Sequence, residues 1–141
     1  MNTVSIMKHE KRIHELEQII RQLPLNDALH TVFEEFSLKK EAVAKRAFMP
    51  VEYLYRYINK IVIPELDNLV KLLLAMHIPF RLSDALLYTA GYVLRSNDRD
   101  VMYSVLLENH KAVGGVIEAN EMIEEYNRTA GKQVIPLFKL K

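Results

Sequence analysis

The segment His9-Glu10-Lys11-Arg12-Ile13-His14 is where residue types come nearest to metal chemistry, and its spacing rules that chemistry out. Histidines at i and i+4 share a helix face and can hold one zinc ion beside a general-base glutamate. His9 and His14 are i and i+5, about 140° apart on a 3.6-residue helix, and Ile13 holds the ligand position. His30, His77 and His110 stand singly and are expected at the surface or at helix ends. The chain has no cysteine, which removes disulfides and thiolate metal sites. There is no glycine-rich phosphate loop and no nucleophile–base signature. The chain is therefore not expected to be an enzyme, and no metal or cofactor is expected.

Recognition chemistry is better represented. The formal net charge is only +1, but it is unevenly spread. Residues 1–36 carry −2, residues 37–81 carry +4 and residues 82–141 carry −1. The basic stretch also holds Tyr53, Tyr55 and Tyr57. Val51 to Asn59 has helical spacing, with Leu54 and Tyr57 facing inward. That leaves Val51, Glu52, Tyr55 and Arg56 on the outer face, and at least one tyrosine exposed. An outward arginine can give two parallel hydrogen bonds to guanine O6 and N7, whereas a lysine near phosphate carries charge but no sequence information.

The rest of the chain must position that face, and all of it reads as helix. Half the residues are hydrophobic, enough for a core. Ile6, Ile13, Leu16, Ile20 and Leu23 form one stripe along a helix of about Val4 to Leu23. In heptad terms this is either a short dimerising coiled coil with His9 in its seam, or a surface helix packed on its own chain. After Pro24, Asn26 or Asp27 is expected to cap a helix over Ala28–Phe36, and Ser37 to cap one over Leu38–Ala47. The break Phe48-Met49-Pro50 leads into Val51–Asn59. A helix opening at Pro64 is apolar on more than one side through Leu66, Leu69, Val70, Leu72, Leu73 and Met76, which marks it as the core helix. A further helix over Ser83–Ala90 stops at Gly91. Helices over Asp98–Asn109 and Val116–Tyr126 form a hairpin around Gly114-Gly115, and Val134 to Lys141 is an extended or frayed tail. The expected organisation is an N-terminal helix over 1–25, a helical domain over 26–93 and a C-terminal hairpin over 94–141.

Two short helices joined by a tight turn form the unit that lays its second helix in a DNA major groove. The stretch Leu38–Ile78 resembles the lambda-repressor/Cro-like (XRE-type) helix-turn-helix family and aligns with its pattern without a gap. Val43-Ala44 matches the Leu-Ala pair of the second helix, Met49 the apolar residue after the turn, and Leu54 the buried residue of the recognition helix. Pro64, Leu66, Asp67, Leu69, Lys71, Leu72, Ala75, Met76 and Ile78 match the fourth helix, and residues 84–92 resemble the fifth helix of some members. With flanking helices the likeness covers about residues 28–92. It implies an all-α, five-helix lambda-repressor-like domain. It also implies that Val51, Glu52, Tyr55 and Arg56 meet base edges, while Lys39, Lys40, Asn59 and Lys60 meet the DNA backbone. The chain departs from the pattern at four places: Phe48 stands where the family often has glycine, Pro50 replaces a hydroxyl cap, Ile58 replaces a common acidic residue, and Ile61-Val62-Ile63 replaces a polar, often basic loop.

The resulting expectation is a sequence-specific DNA-binding transcriptional regulator of repressor type, acting on double-stranded DNA as a homodimer. The alternative is a protein-interaction module that keeps the fold without binding DNA, with a partner on Ile61, Val62, Ile63 or the C-terminal hairpin. Residues 1–23 carry charges every few residues and no apolar signal core, and the densest apolar run, Leu69–Met76, is too short to cross a bilayer. A soluble cytoplasmic protein with no membrane partner is expected.

Overall fold

The computed structural model describes residues 2–137. Among these residues the chain is all-helical, with nine helices and no strand. They are α1 Thr3–Arg21, α2 Leu25–Glu35, α3 Lys40–Arg46, α4 Val51–Asn59, α5 Leu66–Met76, α6 Phe80–Thr89, α7 Asp98–Glu108, α8 His110–Val113 and α9 Val116–Ala130. The part of the expected tail beyond residue 137 lies outside the described residues.

Helix α5 is the hub. Every residue from Leu69 to Met76 is buried, because α3, α7 and α9 all pack on it. Lys71 is among them, and burial lowers its ammonium below the usual lysine range, partly offset by Asp67 one turn earlier. One core runs without a break from Ile13 to Leu137. Burial there also pushes the Tyr103 phenol up to about 12.

Of the N-terminal stripe, Ile13, Leu16 and Ile20 are buried within the chain, where α1 packs mainly on α6. Ion pairs line that seam: Arg81 Nε meets Glu17 Oε1 at 3.1 Å and Arg21 Nη2 meets Asp84 Oδ2 at 3.1 Å. Arg81 also donates from Nη2 to His14 Nδ1 at 2.8 Å. Ile6, with Val4 and Met7, stays exposed on the first turns of α1.

The starts of α2 and α6 depart from expectation in a consistent way, while α4 starts at Val51 as expected. Helices α2, α4 and α6 each begin directly after a proline, namely Pro24, Pro50 and Pro79. Proline has a fixed φ and no N–H to satisfy, and here its extended ψ turns the chain into the first helical residue. Helix α2 therefore starts at Leu25, and Asn26 and Asp27 lie inside its first turn rather than capping it. Helix α6 likewise starts at Phe80, three residues before Ser83. Ser37 is not a cap either: it takes a left-handed conformation (φ 51°) that ends α2, and Lys39 holds the cap position of α3 without a side-chain bond. Pro64 lies just outside α5, whose first helical residue is Leu66 after Glu65.

Candidate nucleic-acid interface

The turn between α3 and α4 is set by backbone hydrogen bonds. Met49 N–H donates to Ala44 C=O at 3.1 Å and Phe48 N–H to Lys45 C=O at 3.2 Å. This pair is a Schellman reversal, which requires a left-handed residue at its corner. Phe48 supplies it at φ 55°, where glycine is the usual choice. Met49 and Ala44 are buried beneath the turn. Arg46 donates from Nε to the Ala75 carbonyl at 3.0 Å and so ties the end of α3 to the end of α5. Tyr92 donates its hydroxyl proton to Pro64 C=O at 2.7 Å, which fixes the approach to α5.

On this frame α4 buries Leu54, Tyr57 and Ile58 and exposes Glu52, Tyr53, Tyr55, Arg56 and Asn59. Glu52, Tyr55, Arg56 and Asn59 follow i, i+3, i+4, i+7 spacing, so they form one outward stripe. Val51 is half-buried and packs against the core, whereas Lys60 is exposed just past the end of α4. Lys39 is exposed at the start of α3, and half-buried Lys40 follows it.

The side chains of this surface engage one another. Tyr55 donates its hydroxyl proton to Glu41 Oε1 at 2.5 Å. That bond holds the Glu41 carboxyl below its ordinary range, with help from Lys40 and Lys39, and raises the Tyr55 phenol in return. Lys40 Nζ lies 5.7 Å from the centre of the Tyr55 ring. Arg56 does not pair with Glu52; its guanidinium lies 4.8 Å from the centre of the Tyr53 ring. The surface thus has two cation–aromatic pairs, Lys40–Tyr55 and Arg56–Tyr53, with Glu41 joined to the first.

Helical periodicity separated buried Tyr57 from exposed Tyr55, but it did not single out Glu41 or Tyr53 as members of this surface. The signal for Glu41 would be its place in the first turn of α3, within reach of Tyr55 on α4 across a short turn. Beside the stripe, Ile61, Val62 and Ile63 are all exposed, Ile61 by 87%. His110, expected at the surface or at a helix end, is the first residue of α8 and is buried there with its Nδ1 unpartnered; its ring lies 6.0 Å from that of His77. Burial and His77 lower its affinity for a proton.

Among the described residues no helix is long and apolar enough to cross a membrane, and no group of three or more His, Asp or Glu could hold a metal ion. No protein-family model, curated protein or solved structure matches this chain.

Proposed function

We propose that the chain is a sequence-specific DNA-binding transcriptional regulator of repressor type. In this reading α2–α6 form a lambda-repressor-like helix-turn-helix domain and α4 enters the major groove. The observation that carries it is the outward stripe Glu52, Tyr55, Arg56 and Asn59 on α4, flanked by the cations Lys39 and Lys40 of α3 and Lys60 beyond α4. A protruding polar helix face between positive charges is what base readout with phosphate anchoring requires. The left-handed Phe48 adds support, because it meets the same conformational demand that the family meets with glycine. Arg56 and Glu52 address base edges, Tyr55 and Val51 lie beside them, and Lys39, Lys40, Asn59 and Lys60 hold the backbone. The regulator acts as a homodimer on paired half-sites.

The test is a salt titration with random-sequence DNA. A regulator with several phosphate contacts loses affinity steeply as salt rises. Binding that is absent at low salt overturns the reading.

One observation favours a second reading. Ile61-Val62-Ile63 is an exposed run of three branched apolar residues beside the candidate DNA face. Such a surface suits a protein partner better than a phosphate chain. In that reading the fold is kept as an interaction module, and the same titration shows no DNA binding at any salt.

A further inference from the structure

Among the described residues, His110 Nδ1 is the one buried side-chain nitrogen or oxygen without a hydrogen-bond partner. A buried polar atom left unpaired destabilises the fold, so its presence calls for a reason. His110 opens α8, the four-residue helix between α7 and α9, and is only 8% exposed. Its carbonyl accepts the Gly114 N–H at 3.0 Å, which closes α8. Gly114 then takes φ 100°, a conformation that glycine alone adopts readily. The chain therefore reverses here on one hydrogen bond at His110 and one glycine.

What surrounds the ring opposes a charge on it. His77, the left-handed residue that ends α5, places its ring 6.0 Å away, and Lys111 follows on α8 itself. Burial disfavours the imidazolium most, and His77 and Lys111 add to that. Helix α7 packs on α8, yet among the described residues no carboxylate offsets these effects. Arg46 and Glu118 line a cleft together with His77, but neither acts on His110. A neutral imidazole leaves one nitrogen unpaired and adds no charge. A protonated one puts an unpaired N–H and a charge into the same enclosed place.

The elements on either side are held elsewhere. Helix α7 packs on α5 and α6. Helix α9 packs on α5, and its Asn127 and Asn120 bind the main chain of Val134 and Leu137. Within α8, Lys111 and Ala112 are exposed, so the side chains that seat it are those of His110 and Val113.

We propose that His110 is a proton-operated latch: neutral, it seats α8 between α7 and α9; protonated, it leaves the core for water, and the link through Gly114 and Gly115 opens. Gly114 and Gly115 also line the cleft that Arg46 and Phe48 of the α3–α4 turn border. Opening thus changes the wall of a cleft beside the turn that presents α4. The sign follows from the surroundings. Folded His110 holds its proton less tightly than at the ordinary value of 6.5. The latch is therefore fully closed above that value and weakens as pH falls from it toward the folded value. With one proton taken up on opening, the open population rises up to about tenfold per pH unit in that interval.

Hydrogen exchange of the full chain, read by NMR between about pH 8 and pH 5, tests this. The reporters are the Val113 amide, bonded to Asn109 C=O at 2.9 Å, and the Gly114 amide. After correction for the intrinsic exchange rate, their protection is expected to fall on the acid side by up to about tenfold per pH unit, while α5 amides keep theirs. His110→Leu fills the buried place without titrating and should hold protection level across the range. His110→Gln, polar and equally unable to titrate, serves the same purpose if His110→Leu does not fold. Protection at Val113 and Gly114 that does not fall with pH overturns the proposal, as does an equal fall in the substituted chain. A fall shared in full by the α5 amides also overturns it, because the whole core is then opening rather than the latch.

Discussion

The hydroxyl of Tyr55 on α4 donates to Glu41 Oε1 on α3 at 2.5 Å, and the Lys40 ammonium lies over the same ring. This bond joins the two helices across the face proposed to meet DNA. The Glu41 carboxyl is held below its usual 4.5 mainly by that bond. A carboxyl with a lowered folded value stabilises the fold above its unfolded value, and the stabilisation disappears as pH falls through the folded value. Tyr55→Phe should therefore move the Glu41 titration midpoint up toward 4.5, read by NMR, and flatten the dependence of stability on pH below that value. An unmoved midpoint would show that the bond is not formed in solution.

A second carboxylate works the same way at the start of α7, where it is buried. Asp100 accepts the Arg95 N–H at 3.0 Å and a bond from Asn97 Nδ2 at 3.1 Å, and Asn97 Oδ1 accepts the Asp100 N–H at 2.9 Å. Burial alone would raise its titration point, but the bonds from Arg95, Arg99 and Asn97 outweigh burial and lower it. Its contribution is thus complete above the ordinary value of 3.8 and lost as pH falls through the folded value. Asn97→Ala should cost about 0.5–2 kcal/mol at neutral pH, as loss of a helix cap does. Asp100→Asn should reduce the acid-side loss of stability. Equal acid limbs in urea melts of the wild type and Asp100→Asn would refute this role.

The hub of the core gives a sharper number. Leu69 is fully buried on α5. Leu69→Ala should cost about 2–5 kcal/mol, from lost burial plus a cavity the packed helices cannot collapse. Chemical denaturation measures it, and a cost under about 1 kcal/mol would mean that the site repacks.

Phe48 carries a local conflict. Its left-handed backbone costs roughly 1 kcal/mol or more relative to glycine, and its side chain is about half exposed. Phe48→Gly should relieve that cost against a modest loss of apolar contact, leaving the protein equally or slightly more stable. A fall in melting temperature of several degrees would show that the ring, not the backbone, sets the residue at this turn.

Phe48 also illustrates what the chain's pattern reveals and what it hides. Apolar spacing placed α4 at its observed bounds, named Leu54 and Tyr57 as its buried residues, and found the core residues of α5, because each depends only on which face meets apolar surface. Helix starts were less legible. Asn26 and Ser37 have capping side chains, yet Pro24 stands at the cap position of α2 and Lys39 at that of α3, since the path set by packing decides which residue stands at the corner. The outward face of α4 was legible as a stripe but not as a network. The Tyr55–Glu41 bond and the Arg56–Tyr53 stack depend on how two helices lie together and on side-chain rotation, which spacing along one helix does not encode. The grip of Asn120 and Asn127 on residues 134–137 was hidden for the same reason.

Arg56 and Lys40 should separate base reading from backbone holding. Arg56 projects from the outward stripe, and its stack on Tyr53 limits the directions its guanidinium can take without using its hydrogen-bond donors. Such a group is prepared to give two parallel bonds to guanine O6 and N7. Arg56→Ala should cost about 1–3 kcal/mol on the preferred sequence and relax preference at one base pair. Tyr53→Ala should reproduce part of that loss by freeing the guanidinium, a consequence that an unstacked surface arginine would not share. Lys40 lies at the start of α3 over the Tyr55 ring, a point charge that carries no sequence information. Lys40→Ala should weaken all sequences alike and lower the salt slope by about one unit. Selection from a random DNA library, run with each variant, compares the two. If Arg56→Ala leaves base preference unchanged while Lys40→Ala lowers the slope, α4 rests on DNA without reading it. If neither variant changes binding, the stripe does not face DNA, and Ile61-Val62-Ile63 becomes the surface to test against protein partners.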